Sequence, residues 1–225
     1  MKHEIRHKPD FAMLSVTLDE GEQVITETGA MMGMSPTMKM ESNMKGGLMA
    51  AAKRAMSGES LFLNTYTATA NGQRLDVAPA SPGDMEHIAI DAGAAVIVQA
   101  GGYCACTPGV TIDSKWGGWK SFRAGEGLIM LHCSGQGDLW ISSYGAIHME
   151  EVNGTYVVDT THIVAFDETL QFNIRGLGGL KSRFLSGEGA VVEFTGTGRV
   201  WMQTRSAPTL AEFLHPFRSV KPDSN

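Results

Sequence analysis

The chain predicts an all-β fold of three similar units packed into one compact body, and three observations carry that prediction. Glycine is abundant, with 27 in 225 residues, well above the average of about 7%, so the chain turns often. Apolar and polar residues alternate over long stretches. The sequence also matches itself, without a gap, at a shift of 72 residues.

The first element is the segment around Pro36. Met32, Met34, Met38, Met40 and Met44 fall on even positions, and Thr37, Lys39, Glu41, Asn43 and Lys45 on odd ones. A period of two is that of a strand with one apolar face; a helix would scatter these methionines around its circumference, and Pro36 would interrupt it.

The second element is the repeat. At the 72-residue shift, Asp19, Gly21, Val24, Ile25, Gly29, Pro36 and Ser42 coincide with Asp91, Gly93, Val96, Ile97, Gly101, Pro108 and Ser114. Turn formers are among the identities, as expected of an internal repeat. Met32 and Met34 fall on Cys104 and Cys106, so apolar volume replaces apolar volume. A core position asks only for that volume, whereas a metal site depends on particular ligand atoms. Met32, Met34, Cys104 and Cys106 are therefore expected in the core, with the two thiols on one strand face and free.

A third copy follows. Gly46-Gly47-Leu48, Gly117-Gly118-Trp119 and Gly178-Gly179-Leu180 each lead to a Gly-Glu pair, at Gly58, Gly125 and Gly187. Apolar strands then begin: LFLNTYT, LIMLHC and AVVEF. SGQGDLW and TGTGRVW read as hairpin turns leading to strands with Trp140 and Trp201. Leu170, Phe172 and Ile174 alternate with Gln171, Asn173 and Arg175 as one more one-faced strand. The repeats span approximately 11–86, 87–154 and 155–208, inside a single domain of residues 1–225, with a short C-terminal helix and tail over 209–225. A helix is expected over 48–57 and another over 209–215, with Thr209 as its N-cap and Pro216 as its stop.

Composition bounds the function. Hydrophobic residues at 43% and charged residues at 19% describe a globular chain. With 18 Lys plus Arg against 24 Asp plus Glu, the net charge of −6 argues against nucleic acid as a partner. The N-terminus MKHEIRHKPD has no apolar targeting core, and no apolar run approaches a membrane span. A cytoplasmic protein is expected, not an integral membrane one. Three cysteines do not suggest a disulfide framework.

The ordered set GAMMGM, GESLFLNTY, PGDM, GYCAC, SGQGDLWISSYG, VVDTTHIVAFDETLQF and SGEGAVVEFTGTGRVWMQTRS resembles the bacterial and archaeal relatives of the altered-inheritance-of-mitochondria (AIM) family. The resemblance covers nearly the whole chain. It implies a fold similar to the tryptophan RNA-binding attenuation protein (TRAP-like), a short double-stranded β-helix or β-sandwich unit that forms rings. It brings no catalytic residues, so none are transferred.

Chemistry-bearing motifs are sparse. Seven histidines include no His-x-His pair of the cupin kind; His132 and His148 are the two that could meet, fewer than the three or four ligands a divalent ion needs. SYGAI is not a nucleophile elbow, and the Gly-Gly steps are not followed by Lys-Ser or Lys-Thr. His132 and Cys133 are neighbours on a strand, so they face opposite ways. No catalytic residue, cofactor or metal is expected. Trp116, Trp119, Lys120, Phe122 and Arg123 form the one stretch where aromatic and basic residues interleave, a candidate interaction surface. The expected function is that of a non-enzymatic binding or scaffold protein that self-associates as a homo-oligomer, since open strand edges are a liability that self-association relieves. Other proteins are a further partner class. An RNA-binding ring by fold analogy and a membrane-peripheral envelope scaffold are the rivals, and a cupin-like metal enzyme ranks last.

Overall fold

The computed structural model describes residues 1–43, 63–114, 129–176 and 190–218, which form an all-β body. The strands are β1 (Lys2–Arg6), β2 (Met13–Leu18), β3 (Gln23–Glu27), β4 (Met31–Met34), β5 (Lys39–Asn43), β6 (Leu63–Thr67) and β7 (Gln73–Val77). Then come β8 (Met85–Ile90), β9 (Ala95–Gln99), β10 (Tyr103–Cys106), β11 (Val110–Asp113), β12 (Met130–Gly135) and β13 (Gly137–Ser142). Last are β14 (Ile147–Asp159), β15 (Ile163–Asp167), β16 (Gln171–Gly176), β17 (Ala190–Gln203) and the helix α1 (Ala207–Leu214). The expected helix over 48–57 and the tail from residue 219 lie outside the described residues.

Among the described residues the named strands pair antiparallel throughout, and one scheme recurs along the chain. In the first series β7 pairs β2 and β4, and β6 pairs β3 and β5. In the second, β13 pairs β8 and β10, and β12 pairs β9 and β11. In the third, β14 and β17 each cover two of these positions. The later half of β17 pairs the start of β14 and β15, and its earlier half pairs the end of β14 and β16. A register shift interrupts the outer strand each time, between Met31 and Gly33, Tyr103 and Ala105, and Ile163 and Ala165.

Strands also join one series to the next. β10 pairs β3 with Ala105 opposite Thr26 and Cys106 opposite Ile25. β15 pairs β9 with Ala165 opposite Val98 and Phe166 opposite Ile97. The core follows these junctions. One cluster joins Leu14, Val16, Leu75 and Tyr66 to Cys104 and Trp140 of the second series. Another joins Ile88, Val98, Tyr103 and Cys106 to Val164 and Trp201 of the third. A third gathers Phe166, Phe194 and Val200 with Ile97 and Met130. Phe172 and Ile174 of β16 pack against it while Gln171, Asn173 and Arg175 face outward, as the alternation requires.

Four expectations need correction. The methionine segment is two strands in two sheets, β4 and β5, with a turn at Pro36. Met38 is buried there, but Met32 is 57% exposed, Met34 39% and Met40 47%. Met32 and Met34 are outside the core because β4 is a sheet edge, whereas β10 is covered by β3. Secondly, Cys104 and Cys106 are both buried and free but belong to different clusters, since the register shift in β10 breaks the alternation. Thirdly, SGQGDLW is a corner and not a hairpin: β12 and β13 lie in different sheets, and β17 runs unbroken through TGTGRVW. Gly135 has φ +111° and a Cβ there would overlap the Gly109 carbonyl oxygen, so glycine is required at this corner. Finally, α1 is capped by Ser206, whose hydroxyl accepts from the Thr209 amide, so Thr209 is inside the helix.

Candidate functional site: two open strand edges

Trp116, Trp119, Lys120, Phe122 and Arg123 lie outside the described residues, as do the three Gly-Glu pairs. His132 and His148 have separate carboxylate partners: His132 Nε2 is 3.0 Å from Glu168 Oε1, and His148 Nε2 is 3.6 Å from Glu150 Oε2. His132 and Cys133 do face opposite ways, Cys133 being buried in the core.

Sequence reasoning expected open strand edges without saying which strands form them; among the described residues two complementary edges stand out. β3 and β9 each use one side for their own series and the other for the next. The corresponding strand of the third series is the end of β14, residues 153–159, which pairs β17 alone among the described residues. Conversely, β10 and β15 each receive a strand from the preceding series, whereas among the described residues β4 pairs β7 alone. One edge therefore lacks the partner that the other provides. β5 and β11 are different, because they are sheet ends in both series that contain them.

Burial marks the two edges. Val157 stands where Ile25 and Ile97 stand, and it is 41% exposed while Ile97 is fully buried. Met34 stands where Cys106 and Phe166 stand, both fully buried. Gly33 aligns with Ala105 and Ala165, and a Cβ at Gly33 would meet nothing within 4 Å. A signal was present in the sequence: the exposed methionines of β4 are as apolar as the core residues they match at the 72-residue shift.

Elsewhere, α1 presents Leu210, Phe213 and Leu214 to solvent, and Phe217 is exposed in the 3-10 turn His215–Phe217 that follows it. Among the described residues, His3, His87 and Asp138 form the one group of three His, Cys, Asp or Glu donors within 4.8 Å of one another. Burial and the neighbouring His87 hold the His3 imidazole below its ordinary value, with Asp138 opposing them. No helix among the described residues is long and apolar enough to cross a membrane.

Fold and edges together define an all-β protein of recurrent antiparallel strand series that leaves, among the described residues, the end of β14 and the outer side of β4 without the partner their counterparts have. The chain belongs to the mitochondrial biogenesis AIM24 family, whose profile matches residues 3–205. It is similar to an uncharacterized protein of Streptococcus pyogenes serotype M6, with 25% identity over 95% of this chain and 91% of that one. A crystal structure of a Streptococcus pyogenes protein has the same fold, with a TM-score of 0.79 and 22% identity, covering 96% of this chain and 99% of the other.

Proposed function

We propose that the protein is a non-enzymatic scaffold that assembles head to tail, the end of β14 in one copy pairing β4 of the next. The three strand series are then three copies of one TRAP-like unit, and assembly continues between chains the junction made twice within each. The observation that carries this reading is the mismatch of edges: β3–β10 and β9–β15 share a register, and one donor and one acceptor of that same kind are left open. Transferring the register places Val158 opposite Gly33 and Val157 opposite Met34 of the next copy. Main-chain hydrogen bonds supply affinity in such strand addition, and the alternate side chains supply register.

Both edges differ, so the contact is heterologous, closing into a ring or extending according to the rotation per chain. Light scattering on the full chain tests it. The wild type is expected above the mass of one chain at micromolar concentration. Met34→Lys or Val157→Lys each reduces it toward one chain, and Met34→Lys combined with Val157→Glu restores assembly through an opposite-charge pair. A wild-type monomer, or assembly indifferent to both lysines, rejects the reading.

A further inference from the structure

Two imidazoles and a carboxylate converge where the first and second strand series meet. His3 lies on β1, which ends the four-stranded sheet; His87 and Asp138 lie on β8 and β13 of the six-stranded sheet. Their placement follows from register. His87 is directly opposite Trp140 and Ala89 opposite Asp138, so His87 and Asp138 are diagonal neighbours on one face. His87 Nε2 lies 2.7 Å from Asp138 Oδ1, and the rings of His3 and His87 have centroids 4.4 Å apart. The Trp140 ring forms the inner wall, 5.2 Å from His3 and 5.6 Å from His87.

We propose that His3, His87 and Asp138 bind a zinc-like divalent cation that fastens the N-terminal strand to the second strand series. Nitrogen and carboxylate oxygen donors suit zinc and its neighbours in the first transition row. With neutral imidazoles the group carries a single negative charge, which a divalent ion compensates. His87 and Asp138 are 28% and 30% exposed at their side chains, so an ion can reach the group from solvent.

The third series shows what the same location does without histidines. Trp201 and Trp140 occupy matching places, opposite Ala165 and Ala105. The Trp201 indole N–H donates to Glu86 at 3.1 Å, and the Arg199 guanidinium lies 4.7 Å from the ring centroid. Asp138 holds the position of Arg199, two residues before the tryptophan, and Leu14 that of Glu86 at the 72-residue shift. The buried Trp140 indole N–H accordingly has no acceptor among the described residues. One tryptophan thus has a built-in cation over its face. Beside the other, the guanidinium is replaced by a carboxylate and two imidazoles, a set that takes its cation from solution.

The test uses the untagged full chain, stripped with a chelator and titrated with zinc by calorimetry, then with cobalt while tryptophan fluorescence is followed. One ion per chain is expected, with a rise in melting temperature because the ion binds the folded state. Cobalt should quench emission, and the quenching should shrink in Trp140→Phe. His3→Ala and His87→Ala should each abolish stoichiometric uptake, whereas His148→Ala, at an exposed histidine outside the group, should leave it intact. Circular dichroism confirms that the variants fold, and exposed His3 carries the test should His87→Ala not fold. No saturable uptake by the wild type, or uptake that survives His3→Ala, overturns the proposal.

Discussion

Glu27 ends β3 at the place that Gln99 and Asp159 hold in the other two series. Asp159 accepts hydrogen bonds from the amide and hydroxyl of Thr161. Glu27 is instead pushed up to about 7 from 4.5, with burial as the cause. A carboxyl that holds its proton more tightly in the folded state favours folding most below pH 4.5. That contribution is lost as pH rises from 4.5 to about 7 and is constant above. Glu27→Gln should therefore be near neutral at pH 4.5 and stabilising at pH 8, read as urea midpoints at both; a difference unchanged with pH would contradict the assignment. Side chains were unevenly legible in sequence. The buried free cysteines followed from their number and apolar setting. The histidine group did not, because His3 and His87 are 84 residues apart in sequence and meet through the stacking of two sheets, which no local spacing encodes.

Strands were more legible than their edges. β2, β3 and β4 stand to β8, β9 and β10 at a constant offset of 72 residues, the shift at which the sequence matches itself over residues 18–42. Periodicity failed at Pro36, because alternation continues in phase across a turn and cannot tell one long strand from two strands in different sheets. It also could not tell a core strand from an edge, since burial depends on whether another strand arrives, and that is a property of the whole topology. Met38 and Met40 separate the two readings. Met38 is buried in the first cluster and Met40 is 47% exposed on β5. Met38→Ala should cost about 2 to 5 kcal/mol, and Met40→Ala within about 0.5 kcal/mol, by chemical denaturation of each variant. Equal costs would restore the single one-faced strand.

At the scale of the molecule, the question is whether the open donor and acceptor meet each other in different chains, and the chain's own thiols make this accessible to cross-linking. Burial pushes Cys106 up to about 11 and raises Cys104 and Cys133 further, so all three are poor nucleophiles at neutral pH and contribute little background. In the transferred register position 157 of one copy faces position 34 of the next. Met34→Cys and Val157→Cys in one chain should then give, on mild oxidation, covalent species larger than a dimer, because every chain offers both a head and a tail. Either single variant alone should stay uncross-linked, since its cysteine faces a valine or a methionine. A two-fold contact between identical edges predicts the opposite: one of the single variants would cross-link to a dimer, and the double variant would go no further. Non-reducing electrophoresis separates the two cases, and it also reports closure. A ring ends in one discrete band, whereas an open helical assembly continues as a ladder.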